Sequence, residues 1–280
     1  MAASTGLAHP TQASSREHRA GLAGTLRSEL TKIGSVRSTY WTLLALAVAG
    51  IATGAAYCAS EAARWTQTPA ADKAAFDPAQ ASVQGLVLLG QLIIVVLGAL
   101  TITSEYSTGM IRTSLTVMPR RATLYGAKAA VLTAVTLTIA LPASFAAFFL
   151  GQALLTGTHA QVSLSQPGAV RAVIATAGYL ALCGLFAFAL GALLRHTAGA
   201  VTAAFGLIFL LPQFARALPT AWYQDAERWL PGGNITVAMT GTKSLAGQHL
   251  FSAGGEFAVF GGYTAILLIA AAVMFFRRDA

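Results

Sequence analysis

Residues 78–104 read PAQASVQGLVLLGQLIIVVLGALTITS and contain no Asp, Glu, Lys or Arg between the flanking Asp77 and Glu105. A helix needs about 20 apolar residues to cross a hydrocarbon core about 30 Å thick, so this stretch has the length and character of a membrane span. The pattern recurs on either side. Residues 38–60, between Arg37 and Glu61, and residues 257–276, between Glu256 and Arg277, are equally free of charge. The neutral run 129–170, between Lys128 and Arg171, is too long for one crossing, and its polar, turn-rich second part from Thr156 places the end of the span near Leu155. Only Arg195 and His196 separate residues 172–194 from 197–215. As a single helix these would be about 66 Å long, about twice the core thickness, so two crossings are expected. The reading is an all-α integral membrane bundle of six transmembrane helices, at about 38–60, 82–104, 129–155, 172–194, 197–215 and 257–276.

Composition supports this class. Apolar residues make up 55% and charged residues 10%, against roughly a quarter charged in soluble domains, too few to cover a water-exposed surface. The net charge of +8 comes from Lys and Arg spread between long neutral stretches rather than gathered into a stripe, so no nucleic-acid partner is expected. Cys58 and Cys183 lie in apolar runs without CxxC or metal spacing and read as packing residues. Residues 1–20 are small and polar and lack the apolar core of a signal peptide; they read as a disordered cytoplasmic tail ahead of a membrane domain spanning 21–280.

Lys and Arg favour cytoplasmic flanks. Both termini inside gives Arg16, Arg19, Arg27, Lys32, Arg37, Arg112, Arg120, Arg121, Lys128, Arg195, Arg277 and Arg278 to the cytoplasm, and only Arg64, Lys73, Arg171, Arg216, Arg228 and Lys243 to the exterior. The expected placement is multi-pass in the plasma membrane with both termini cytoplasmic.

Within the spans no ionisable residue sits near the middle, where ion-coupled carriers usually place one, so energy is expected from elsewhere. Gly50 and Gly54, four apart in span one, allow close helix approach, read as packing within the bundle. Pro142 and Pro212 each remove a backbone donor and are expected to kink their helices. Ahead of span one, Leu22, Leu26, Leu30 and Ile33 recur at helical spacing while Arg27, Ser28 and Lys32 point elsewhere, the pattern of an amphipathic helix on the inner membrane surface. Glu29 falls close to that apolar stripe and needs a partner, with Lys32 one turn on the nearest. In the long loop 217–256, Leu218, Trp222, Ala226 and Trp229 share one face of a helix, read as an interfacial or partly re-entrant external element, or alternatively as a lid that touches substrate.

The most informative segment runs from Glu105 to Lys128: EYSTGMIRTSLTVMPRRATLYGAK. It follows span two on the cytoplasmic side, carries Ile111 and Leu115 at helical spacing, and is interrupted at Pro119, so a short helix parallel to the membrane is predicted. As a bare pattern it is equally a positively charged loop that fixes topology.

Here the sequence resembles the type-2 ABC exporter permeases, whose first cytoplasmic loop runs through an acid, an aromatic, a Gly turn, a basic residue, a leucine, then Pro and Arg before a Lys opens span three. The matching positions are Glu105, Tyr106, Gly109-Met110, Arg112, Leu115, Pro119, Arg120-Arg121 and Lys128, and the opening Leu26-Arg27-Ser28-Glu29-Leu30-Thr31-Lys32 is also similar. The resemblance implies that residues 105–121 form a coupling helix seated in a groove of a separate ATPase subunit, with Ile111 and Leu115 filling the groove. It implies that this six-helix bundle is half of a pore completed by a second copy or a sister permease. The short loop between spans one and two departs from relatives that carry a large outer domain. No GxxxxGK[ST] loop is present; Gly241-Thr242-Lys243-Ser244 lacks the spacing. The chain is therefore expected to be no enzyme, with ATP and Mg bound by the partner subunit, and to export an amphiphilic or hydrophobic compound. The competing readings are a membrane-embedded enzyme, against which stand five histidines (His9, His18, His159, His196, His249) without HExxH and the lack of GxSxG, and a non-transporting scaffold or sensor.

Overall fold

The structure, a computed structural model, describes residues 22–35, 37–110, 121–232, 239–242 and 251–277, and among these there are helices and turns but no strand. A first helix, α1 (Leu22–Ser35), precedes α2 (Arg37–Arg64); a short α3 (Ala70–Ala75) leads into α4 (Pro78–Ser107). Then come α5 (Arg121–Leu154), α6 (Ala169–Leu194), α7 (Thr197–Ala215), the short α8 (Thr220–Ala226) and α9 (Ala253–Arg277). Six of these, α2, α4, α5, α6, α7 and α9, are long and apolar enough to cross a membrane. The helices run past the charge-free windows: α4 continues beyond Glu105 to Ser107 and α5 begins at Arg121, so that Lys128 lies two turns inside a helix.

The most buried span, α6, is the axis of the bundle, packed on α4, α5, α7 and α9. Tyr179, Leu180, Cys183, Phe186 and Phe188 are shut off from the surface on its several faces. On one side α2 closes against α4 and α5. That seam is where the small residues of span one act: a Cβ on Gly54 would collide with the Ser82 carbonyl, and one on Gly85 with the Gly50 carbonyl. Gly50 and Gly54 are therefore packing residues inside one bundle, as expected. Both cysteines are buried and unpaired as disulfides.

Each of α4 and α7 contains one wide π turn, at Leu86–Gly90 and at Gly206–Leu210. Directly after the first, Gln91 accepts a 2.5 Å hydrogen bond from the Tyr179 hydroxyl, a buried polar tie across the bundle. After the second comes Pro212, which cannot donate to Ile208 O, its ordinary α-helical partner. Gly232 closes on that carbonyl at a positive φ of 84°, and a side chain there would strike Ile208 O. The chain after α8 thus turns back along α7. The Tyr263 hydroxyl of α9 holds the Trp229 carbonyl at 2.8 Å, which fastens residues 227–232 to that span. Trp222 stands 70% exposed on α8. Met239 and Thr240 are fully buried, and Asp77, which caps α4 through Ala79 N and Gln80 N, also accepts from Thr242 N at 2.5 Å. Arg171 completes this fastening with a 2.6 Å bond to Gly241 O. The helix α5 runs continuously through Pro142.

Candidate functional site

At the end of the bundle that carries α1, four charged side chains from three helices close into a ring. Lys128 Nζ, on α5, donates to Glu29 Oε2 of α1 at 2.7 Å and to Glu105 Oε1 of α4 at 2.5 Å. Lys32 Nζ, also on α1, donates to Glu29 Oε1 at 2.8 Å and to the same Glu105 oxygen at 3.1 Å. Two acids and two bases make the ring neutral. Side-chain exposure is 3% for Lys128, 4% for Glu29, 7% for Glu105 and 36% for Lys32, so three of the four charges have left water. Such burial is tolerated only when each charge keeps close partners of opposite sign. Glu105 Oε2 is buried with no hydrogen-bond partner.

The sequence of α1 places its two members. At 100° per residue, Thr25, Glu29 and Lys32 fall along one edge, and Thr25 and Glu29 are buried at 2% and 3%. Gly24, Arg27, Ser28, Thr31 and Ser35 occupy the opposite polar side. Leu26 is half-buried and Leu30 is 48% exposed. The helix therefore turns an acid and lysine edge to α5 and a polar side away from it. Burial pulls the Lys32 pKa down, but the hydrogen bond to Glu29 and the charges of Glu105 and Glu29 outweigh it, and the ammonium is held above its ordinary value.

Further contacts tie the remaining spans to this end. The Arg195 guanidinium, in the tight α6–α7 turn at φ 54°, sits 5.0 Å from the Tyr106 ring centroid. The hydroxyls of Thr197 and Thr103 join α7 to α4 at 2.8 Å. Arg121 Nη1 reaches Phe275 O and Phe276 O, each at 3.4 Å, placing a cation on the carbonyl end of α9, where the helix dipole favours it. Gly109, at φ 70°, ends α4.

Of the residues singled out from sequence, Glu105, Tyr106 and Arg121 are brought to this end, with Glu29 and Lys32, and Gly109 closes the helix behind them. Ile33 lies on α1. Ile111, Arg112, Leu115, Pro119 and Arg120, and with them the short helix predicted there, lie outside the described residues, as does the tail 1–20. The pairing of Glu29 with Lys32 holds, but it is half of a larger arrangement. Lys128 is the member the sequence reading did not place. Taken as the flank of span three, it is the most buried charge of the ring, and its signal is a lysine two turns past Arg121 in a stretch that keeps helical character throughout.

A family model described as ABC-2 family transporter protein matches residues 25–214, which include every member of the ring. No curated protein matches the chain.

Proposed function

Because the chain belongs to the ABC-2 transporter family, and so is a membrane-spanning transport subunit, we propose that it is the permease of an exporter whose ATP is hydrolysed by a separate ATPase. The loop between α4 and α5 is the docking element, with Ile111 and Leu115 entering a groove of that ATPase and Arg112 and Arg120 facing its acidic groups. On this reading the termini and the loop are cytoplasmic, the membrane is the plasma membrane, and a second copy or sister permease completes the pore. ATP and Mg belong to the partner.

The observation that carries the reading is the ring itself. Its members flank both ends of the docking loop: Glu105 sits just before it and Lys128 two turns after it, and Glu29 and Lys32 bind both to α1. A push on the loop reaches α1, α4 and α5 as one rigid unit, and Tyr106 with Arg195 and Arg121 with the end of α9 pass it to the other spans. The test is ATP hydrolysis by the purified chain and by the complex isolated through an affinity tag on it. Turnover is expected only when an ABC ATPase co-purifies. Hydrolysis by the chain alone, free of contaminating ATPase, contradicts the proposal.

A further inference from the structure

The polar side of α1 forms an open groove with cationic walls. Its volume is about 490 Å³, in the range of small-ligand sites, and along α1 it is lined by Gly24, Arg27, Ser28, Thr31, Lys32 and Ser35. At 100° per residue, Gly24, Ser28, Thr31 and Ser35 fall within about 60° of one another and make the floor, while Arg27 and Lys32 stand on either side of it. Arg27 and the floor residues are exposed. Each hydroxyl of the floor gives its proton to the helix backbone: Ser28 Oγ donates to Thr25 O at 2.8 Å, Thr31 Oγ1 to Arg27 O at 2.8 Å and Ser35 Oγ to Lys32 O at 2.9 Å. These oxygens therefore offer acceptors to the groove, between two side chains that can only donate.

One residue separates α1 from α2, a span that opens with Arg37, and α1 packs on α2 and on α5. The groove therefore lies where the spans leave the hydrocarbon, among lipid headgroups. Arg27 has no ion-pair partner among the described residues, and Glu29 and Glu105 are held by the lysines of the ring. The tail 1–21 and the loop 111–120 carry Arg16, Arg19, Arg112 and Arg120 against Glu17 alone, so charge favours an occupant from outside the chain. The complement of this groove is a phosphate, which accepts from Arg27 and Lys32, joined to hydroxyl donors that reach the oxygens of Ser28, Thr31 and Ser35. We propose that the groove binds the headgroup of an anionic glycerophospholipid, phosphatidylglycerol, with its phosphate between Arg27 and Lys32 and its glycerol hydroxyls on the floor. Through Lys32, which holds both Glu29 and Glu105, the bound lipid is joined to the ring. The inference rests on the membrane spans and not on the permease reading.

The experiment is native mass spectrometry of the full chain in detergent, titrated with three lipids. Phosphatidylglycerol is compared with phosphatidylmethanol, which has the same charge but no headgroup hydroxyl, and with zwitterionic phosphatidylcholine. Phosphatidylglycerol is expected to bind about tenfold tighter than phosphatidylcholine, and more tightly than phosphatidylmethanol as well. Arg27 lies outside the ring, and Arg27→Gln should weaken phosphatidylglycerol about fivefold, the effect of one cation at a lipid surface. Thr31→Leu keeps every charge but fills the floor, and should weaken it as much; Arg37→Gln, outside the groove, should leave it nearly unchanged. Equal affinity for all three lipids overturns the proposal. So does an affinity that falls alike with Arg27→Gln and Arg37→Gln but not with Thr31→Leu, the mark of diffuse attraction. Displacement of the lipid by an equal concentration of inorganic phosphate would make this a site for the free anion, and loss of ATPase capture by Thr31→Leu with lipid binding intact would make it a protein contact. Either result overturns the proposal too.

Discussion

Replacing Lys128 with methionine keeps much of the side-chain volume and removes the central charge of the ring. Glu29 and Glu105 then share only Lys32, whose side chain is 36% exposed, and the ring passes from neutral to one net negative charge. Stripping one partner from a buried ion pair costs about 3–5 kcal/mol. Because Lys32 still reaches both acids, the lower figure of about 3 kcal/mol is expected. Equilibrium unfolding in mixed micelles measures it. A second substitution separates lost charge from lost packing: Lys128→Met with Glu105→Gln removes the orphaned acid as well and should recover at least about 1 kcal/mol, a coupling typical of contacting residues. Lys32→Met, at the wet edge, should cost about 1 kcal/mol or less. A Lys128→Met variant within about 0.5 kcal/mol of native, or a strictly additive double variant, would refute the claim that this ring binds α1, α4 and α5 together.

Three further outcomes follow from the packing and the charges. Gly85→Ala places a methyl against the Gly50 carbonyl and should destabilise by about 1–3 kcal/mol or more, read as a lower aggregation temperature in detergent. Tyr179→Phe removes the buried bond to Gln91 and should cost about 0.6–1.7 kcal/mol, the range for such bonds within membranes, in the same unfolding assay. Lys32 has a raised folded-state pKa, so its stabilisation is complete below the ordinary value of 10.5 and is lost only as pH climbs through the higher folded value. The difference in unfolding free energy between native and Lys32→Met chains should therefore stay flat from about pH 6 to pH 9 and shrink only in strong alkali.

The six spans were legible because the membrane imposes a coarse rule, about 20 residues without charge, and this chain obeys it with charges at almost every boundary. Gly50 and Gly54 were legible for a similar reason, since small residues four apart leave few uses inside a helix bundle. The ring was half legible. Glu29 next to a leucine stripe announced a missing partner, but which lysine answered it depends on where α5 begins. A boundary set at Lys128 puts that side chain in water; a start at Arg121 turns it inward. The π turns left no pattern to read, because widening one turn by a residue changes register and not composition. The return of the chain after α8 was visible only as a cluster of aromatics; it rests on Pro212, which leaves Ile208 O without its usual donor, and on Gly232, which can approach it. The pairing of Arg228 with Trp229 and Phe251 needs a contact across a chain reversal that sequence spacing does not encode.

The central claim is that the loop between α4 and α5 is where a separate ATPase takes hold, and the most direct measurement is affinity capture of that ATPase by the chain carrying Ile111→Asp and Leu115→Asp together. A carboxylate forced into a packed aliphatic contact is buried without a partner, which strongly disfavours the interface. The doubly substituted chain should insert in the membrane and unfold like the native one, yet retain no ATPase. Capture of the ATPase at the native level by that chain would contradict the account.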